Sequence, residues 1–163
     1  MNELNRLLQI LCDADIPFVI VGGFAGMLYG SSLVTCAIDL CAVLTDENVA
    51  KLRTALHDLK PVHRLTPQRL SFLDNPEPGV SVRNLYLQTD VGPVDLLTSI
   101  TGVGGFERVN AKAIEIVLFG RRIRVIGLDD LIAAKEALGR EKDLLAAKEL
   151  RAIREAQHDG ESG

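Results

Sequence analysis

The chain has 163 residues, 47% hydrophobic and 25% charged, which is enough for one ordinary core and too few for two comfortable domains. Its formal net charge of −4 at pH 7 argues against a broad DNA- or RNA-binding surface, because such surfaces are basic. No apolar run reaches the length of a membrane-spanning helix, so we expect a soluble protein without a membrane partner. Three cysteines and no secretion signal favour a cytoplasmic location.

The first elements surround a glycine pair. Leucines at helical spacing predict an amphipathic helix over residues 3–14, and an apolar strand follows over Phe18–Val21. Gly22 and Gly23 interrupt this strand before a helix over Phe24–Tyr29. A glycine turn at a helix N-terminus exposes backbone N–H groups that a phosphate can approach closely. We therefore predict that this turn binds phosphate.

A carboxylate interrupts the next apolar run, which extends from Leu33 to Val43. Burying Asp39 within such a run is costly unless a cation meets it. Asp39 is therefore the first candidate for a functional side chain. A helix that begins at Thr45-Asp46 and ends before Pro61 follows, and its apolar stripe indicates packing alone.

The middle of the chain contains a second carboxylate in an apolar strand. Residues 61–79 are predicted to form an irregular connection with a short helix around 67–72, and long loops of this kind are often functional. Strands over 80–89 and 94–97 should then form a hairpin. Asp95 lies in its second strand. By itself it is a strand-end carboxylate with a neighbouring partner, whereas together with Asp39 it becomes a second functional candidate.

The remaining elements end in helices that carry inward charges. The patterns predict a glycine-rich loop over 98–105, a short helix over 106–111, a hairpin of 114–119 with 122–126, a helix from 128, a helix over 140–157 and a disordered tail over 158–163. Lys135 and Asp143 both extend apolar helix stripes, so we expect both side chains to point inward. The alternative is an ordinary solvated helix surface with charge pairs such as Glu136 with Arg140.

The order of these features resembles a known superfamily. A glycine pair, a short helix, Gly30, Thr35 and an Asp in an apolar strand are similar to nucleotidyltransferases with the polymerase-beta-like fold, specifically small bacterial members related to AbiEii-type toxins. Asp95 matches the third acid of that family. The segment from Lys135 to Asp143 matches its cations across a helix break. The resemblance covers about Val19 to Ile153.

The resemblance implies a fold, a reaction and a set of site residues. The expected fold is α/β (α+β): a mixed β-sheet flanked by helices in a single domain over 1–157, with a helical C-terminal part over about 128–157. The implied reaction transfers a nucleoside monophosphate from an NTP to a hydroxyl acceptor (protein, RNA or small molecule) with Mg²⁺ or Mn²⁺, and an antitoxin protein is an implied partner. Asp39 and Asp95 would be catalytic and hold the metal. The implied nucleotide-binding residues are Gly22, Gly23, Thr35, Lys135, Arg140, Lys142 and Asp143.

The chain departs from the family pattern at one acid. The family has Asp-x-Asp, and its first acid falls on Ala37. Residues two apart in a strand share a face, so an acid there would stand beside Asp39 and bridge metal ions. Its absence is expected to lower the rate by at least about two to three orders of magnitude. Leu33 is a second departure, since many relatives have an arginine at that position.

Three interpretations of Ala37 stay open. The chain could be a catalytically silent module that binds a nucleotide or a partner protein. Ala37 could be a change introduced into an active enzyme. Activity could also persist with one metal at Asp39 and Asp95. We expect a nucleotidyltransferase-like protein with impaired activity, with the silent binding module as the alternative and an α/β protein without any ligand as a third possibility.

Overall fold

A computed structural model describes residues 3–162, with side chains to residue 160. The described residues form six α-helices: α1 (Glu3–Asp13), α2 (Gly22–Tyr29), α3 (Asp46–Leu56), α4 (Phe106–Ala111), α5 (Leu128–Leu138) and α6 (Glu141–Ser162). A 3₁₀ turn, His57–Leu59, follows α3. The strands are β1 (Phe18–Val21), β2 (Ile38–Ala42), β3 (Val62–His63), β4 (Asn84–Thr89), β5 (Gly92–Leu97), β6 (Ser99–Ile100), β7 (Gly104–Gly105), β8 (Ile114–Leu118) and β9 (Arg121–Val125).

Seven of these strands form one mixed sheet in the order β3-β4-β5-β2-β1-β9-β8, and β6 pairs with β7 separately. At the centre, β2 is antiparallel to β1 and parallel to β5, while β1 is parallel to β9. The predicted hairpins are present as β4 with β5 and β8 with β9. The predicted fold class, a mixed sheet flanked by helices with a helical C-terminal part, is confirmed.

The alternation of side chains in the central strands separates the core from the site. Ile38 and Leu40 of β2 are fully buried, as are Val94 and Leu96 of β5. Successive side chains of a strand point to opposite faces, so Asp39 points away from the face that Ile38 and Leu40 bury. Asp95 has the same position between its two buried neighbours. The core therefore holds both strands in place from one face and leaves the carboxylates on the other.

Helix α2 and strands β2 and β4 begin at other residues than predicted. Helix α2 starts at Gly22, whose φ of 65° turns the chain from strand into helix, so the glycine pair lies in the first turn of the helix. Strand β2 starts at Ile38, because its pairing with β5 begins there, opposite Val94. Strand β4 starts at Asn84, which pairs with Leu97 at the end of β5, so the residues before it have no partner strand.

Two further predictions are corrected. The short helix around 67–72 is not formed, because Phe72 is fully buried and its carbonyl accepts a hydrogen bond of 2.9 Å from Arg53 Nε. This tertiary contact outweighs the local preference. Helix α6 continues to Ser162, so residues 158–162 are helical where disorder was predicted, and Gly163 lies outside the described residues. The lone Gly160 costs only about 1 kcal/mol in a helix and does not end it.

The described helices differ from membrane-spanning helices in length or in apolar content. Helix α6 is the longest with 22 residues, but it carries many charges. None of the described helices combines the length and apolar content that crossing a bilayer requires.

Candidate active site

The two candidate acids stand side by side on neighbouring strands. Strands β2 and β5 run parallel, and Asp39 is the register partner of Asp95. Adjacent strands of a sheet are about 4.7–4.9 Å apart, so the two side chains leave the sheet at the same level. Both carboxylates line the same cleft. Residues that are 56 positions apart in the chain therefore form one acid pair.

The N-terminus of α2 approaches this pair closely. A Cβ on Gly22 would stand 2.3 Å from Asp39 Oδ2, so only glycine leaves room for the carboxylate. The backbone N–H of Gly23 donates a hydrogen bond to Asp39. No side chain caps the helix. The first turn of α2 therefore presents backbone donors and the positive end of the helix dipole to the cleft.

Thr35 fixes the loop that leads into β2. A Cβ on Gly23 would lie 3.1 Å from Thr35 Cβ, so the two residues are in close contact. Thr35 Oγ1 accepts a hydrogen bond from the Ala37 N–H at 3.3 Å and donates to the Ala37 carbonyl at 3.2 Å. Ala37 precedes β2, so the strand alternation that was expected to place it beside Asp39 starts only after it. Thr35 lines the cleft, while its hydroxyl is bonded to the backbone of residue 37.

The pKa of Asp39 is raised to about 6. Burial is the largest cause, followed by the negative charge of Asp95. Lys135, the Gly23 N–H and Arg64 act in the opposite direction without cancelling the shift. At neutral pH Asp39 is therefore a carboxylate that gains from any additional positive charge in the cleft.

Asp95 has an incomplete set of partners. Arg64 Nη2 lies 2.8 Å from Asp95 Oδ1, which is an ion-pair distance. The same oxygen is buried and has no hydrogen-bond partner among the described residues. The two observations agree if the guanidinium lies close to the oxygen but in an orientation that is unfavourable for a hydrogen bond, and we interpret the contact in that way. Asp95 Oδ1 thus keeps a lone pair for another ligand.

The break between α5 and α6 brings two cations onto one buried acid. Asp143 is 1% exposed, and it accepts hydrogen bonds of 2.5 and 3.2 Å from Arg140 Nε and Nη2. Lys135 Nζ lies 3.8 Å from its Oδ1. Burial alone would raise the pKa of Asp143, but its bonds to Arg140 and the charge of Lys135 hold that pKa below the ordinary value. Asp143 therefore orients both cations towards the cleft.

The cleft has two lobes that meet at the acid pair. One lobe has a volume of about 490 Å³ and an apolar wall that includes Leu97, Ile100, Ile126, Leu131 and Leu138. The other, of about 570 Å³, has a polar wall that includes Ser31, Thr35, Arg64, Lys142 and Asp143. Asp39, Asp95, Lys135 and Arg140 line both lobes. We call them the apolar lobe and the polar lobe.

Every site residue named from the sequence lines this cleft. Gly22 borders the apolar lobe. Gly23, Thr35, Lys142 and Asp143 border the polar lobe. Lys142 is exposed at its rim, and Leu33, at the second departure from the family pattern, also lies on this wall. The glycine turn, the two strand acids and the helix break therefore form one continuous surface.

Sequence reasoning missed Arg64, which lines the polar lobe, and Glu149, which bonds to the loop that forms a wall of that lobe. Glu149 of α6 accepts hydrogen bonds from the hydroxyls of Ser31 and Ser32 and, at 3.0 Å, from the Ser32 N–H. It thereby ties the loop before β2 to the last helix. Arg64 follows β3, and its only sequence signal was its place in a long irregular connection. Both were missed because their partners are more than 20 residues away in the chain.

The carboxylates fit one divalent cation better than two. Asp39 and Asp95 supply hard oxygen donors from neighbouring strands, and one buried Asp95 oxygen has no hydrogen bond. Within residues 3–162 there is no cluster of three or more His, Cys, Asp or Glu side chains that could hold a metal. Two bridged ions need a third carboxylate, the one that Ala37 does not provide.

Comparison with known structures identifies the fold. Lincosamide antibiotic adenylyltransferase LnuA, in its lincomycin-bound crystal structure, matches with a TM-score of 0.57 and 18% identity, over 93% of this chain and 96% of that chain. A candidate nucleotidyltransferase from Thermotoga maritima matches with a TM-score of 0.55 and 15% identity, over 98% of this chain and 96% of that chain. No protein-family model and no curated protein matches the sequence. At these identities the likeness shows that the chain shares its fold with these two proteins.

Proposed function

We propose that the cleft binds a nucleoside triphosphate and transfers its nucleoside monophosphate to a hydroxyl group of an acceptor, with release of pyrophosphate. The observation that carries the proposal is the register pairing of Asp39 with Asp95 beside the N-terminus of α2. Phosphoryl transfer needs positioned phosphates and neutralised oxygen charge more than covalent chemistry by the protein. An acid pair between a helix N-terminus and several cations has these properties.

The polar lobe is the proposed triphosphate site. Its backbone donors come from the first turn of α2, and its charges come from Lys135, Arg140 and Lys142. Asp143 holds two of these cations in place, so they remain directed at the cleft. A divalent cation, Mg²⁺ or Mn²⁺, held by Asp39 and Asp95 would add charge neutralisation at the phosphate that reacts.

The apolar lobe is the proposed acceptor site. Its volume of about 490 Å³ is in the range of small-molecule sites, and apolar side chains dominate its wall. It meets the polar lobe at the acid pair, where the attacking hydroxyl has to stand. LnuA, which has the same fold, is an adenylyltransferase of lincosamide antibiotics. These points favour a small hydroxyl-bearing molecule over RNA or protein as the acceptor.

The second candidate function is a catalytically silent module that binds nucleotide in the same cleft. The specific observation in its favour is the missing third carboxylate at Ala37, since the described residues near the pair offer no replacement. In a silent module, bound NTP would raise the melting temperature of the protein, but no label would be transferred. Transfer and binding therefore have to be measured separately.

The deciding experiment is label transfer from each of the four α-³²P-labelled NTPs with Mg²⁺. The acceptors are lincosamide antibiotics and other small hydroxyl-bearing molecules, total RNA and a protein extract, in separate reactions. We expect slow transfer by the wild-type chain and a gain of about 100-fold or more with Ala37→Asp, which restores the missing acid. Asp39→Asn should abolish transfer, and Asp90→Asn, at an exposed turn, is the matched control.

The outcomes separate the candidates. Absence of transfer by both the wild type and Ala37→Asp would remove the enzyme interpretation. If NTP raises the melting temperature under those same conditions, the silent module is supported. If NTP neither transfers label nor changes the melting temperature, both candidates fail. The AbiEii-type relationship, an antitoxin partner and a cytoplasmic location stay predictions of the sequence.

A further inference from the structure

We propose that Arg64 binds the phosphates of the nucleotide and supplies, from the protein itself, part of the positive charge that a site with three carboxylates would obtain from a second metal ion. The inference rests on the proposed nucleotide function of the cleft. It adds a phosphate-binding residue outside the glycine turn and the break between α5 and α6, which carry the residues named from the sequence.

The position of Arg64 is fixed by the sheet. Its backbone N–H donates to the Tyr86 carbonyl at 2.8 Å, and its Nη1 donates to the Leu87 carbonyl at 3.1 Å. Both partners belong to β4, which is paired along its length with β5, the strand of Asp95. The guanidinium is therefore held beside the acid pair by backbone contacts, and it lines the polar lobe.

The contact between Arg64 and Asp95 differs from the ion pair of Arg108 with Asp130 in the same molecule. Arg108 makes two parallel hydrogen bonds of 2.8 Å to Asp130, which is the geometry of a locked bidentate pair. Arg64 instead makes one ionic contact with Asp95, and that oxygen accepts no hydrogen bond within the described part of the chain. A guanidinium has five N–H donors, so donors remain for an anion in the cleft.

Arg64 also provides the excess of positive over negative charge in the polar lobe. Among the described residues, four cationic side chains and three carboxylates line this lobe, so its formal charge is +1 when all are ionised. Without Arg64 the formal charge would be zero. Since charge–charge attraction drives anion binding in a partly buried cleft, one cation of four has a large effect here. The planar fork of arginine also matches two phosphate oxygens at once, which a lysine ammonium does not.

Inorganic tripolyphosphate tests the proposal without any dependence on the base. Its binding to the full chain is measured by calorimetry in EDTA, so that the protein alone provides the positive charge. Arg64→Met is expected to weaken binding by about tenfold or more, and Arg64→Lys by a smaller factor. Arg83→Met, at an exposed arginine just before β4, is the matched control and should leave binding unchanged.

Asp95→Asn separates phosphate binding from a merely structural role. If Arg64 binds phosphate, Asp95 competes for it and repels the anion, so this variant should bind tripolyphosphate more tightly than the wild type in EDTA. If Arg64 only supports Asp95, the Arg64 and Asp95 variants should weaken binding alike, which would overturn the proposal. Binding by folded Arg64→Met within about twofold of the wild type would overturn it as well.

The result also distinguishes this inference from the proposed function. Wild-type binding that is insensitive to Arg64 would remove the role of Arg64 and leave the nucleotide site standing. A wild-type chain that binds neither tripolyphosphate nor any NTP would remove both. Circular dichroism and the melting temperature establish that each variant folds, and if Arg64→Met does not fold, affinity of Arg64→Lys equal to wild type overturns the proposal.

Discussion

The backbone of Gly22 lies directly against the carboxylate of Asp39, because a Cβ at residue 22 would stand 2.3 Å from Asp39 Oδ2. The residue also has a φ of 65°, a backbone conformation that residues other than glycine rarely adopt. Two independent reasons therefore require glycine here. One is local strain, and the other is the space taken by the acid of the site.

Gly22→Ala is expected to lower the free energy of unfolding by about 3 kcal/mol and to abolish NTP binding, since the new methyl group must displace Asp39. Gly120→Ala is the matched control: Gly120 has a φ of 72°, and a Cβ there would meet no atom within 4 Å. Strain alone should cost about 1 kcal/mol at that position. Urea unfolding and thermal shift with NTP measure both effects. Equal losses at the two glycines would contradict the close contact.

Asp39→Asn should stabilise the protein at neutral pH. Burial and the charge of Asp95 raise the pKa of Asp39 from 3.8 to about 6. A carboxyl group whose pKa is raised on folding contributes stability that is fully present below its pKa in the unfolded state. This stability is lost as the pH rises through the pKa of the folded state. The variant should therefore gain about 3 kcal/mol at about pH 7.5 and almost nothing at about pH 3. Urea unfolding at both values tests this, and a gain that does not depend on pH would refute it.

Asp143→Asn should disturb both stability and phosphate binding. Asp143 is almost fully buried and holds Arg140 and Lys135, so its loss leaves two cations without their acid. We expect a decrease of about 2 to 3 kcal/mol in the free energy of unfolding. Asp129→Asn, which removes an exposed pair with Arg154, should cost under about 1 kcal/mol. Chemical denaturation compares the two, and similar costs would show that the buried pair has no special weight.

Glu149→Gln should loosen the loop before β2. The neutral amide accepts more weakly from Ser31 and Ser32 than the carboxylate does, and these bonds also hold the pKa of Glu149 below its ordinary value. Hydrogen exchange of residues 31–37 should become faster, and NTP binding should weaken because this loop forms a wall of the polar lobe. Glu155→Gln, at an exposed position on the same helix, is the control. An unchanged rate of hydrogen exchange would show that the loop keeps its conformation without the carboxylate of Glu149.

Part of this architecture follows from local sequence patterns. The apolar strand before the glycine pair and the leucine stripe of α1 reflect burial at a fixed spacing, which each segment carries by itself. Asp39 and Asp95 were recognisable for the same reason, because a carboxylate within an apolar strand breaks the pattern. The inward direction expected for Lys135 and Asp143 from helical spacing agrees with their low exposure.

Element boundaries were less predictable, because they depend on partners elsewhere. Strand β4 begins where β5 ends, and residues 67–72 follow the burial of Phe72 instead of a helical preference. The end of α6 was predicted too early, since a composition typical of tails does not by itself end a helix.

The sequence by itself determined which residues carry unusual chemistry: a glycine pair, two acids in apolar strands, and cations at a helix break. Only the tertiary structure decided that Asp39 and Asp95 are register partners, because the pairing of β2 with β5 joins segments that are far apart in the chain. The same holds for Arg64, whose place beside Asp95 depends on the pairing of β4 with β5. Side-chain spacing is a local property, whereas strand order results from packing of the whole chain. The individual residues of the site can therefore be identified from the sequence, but their arrangement cannot.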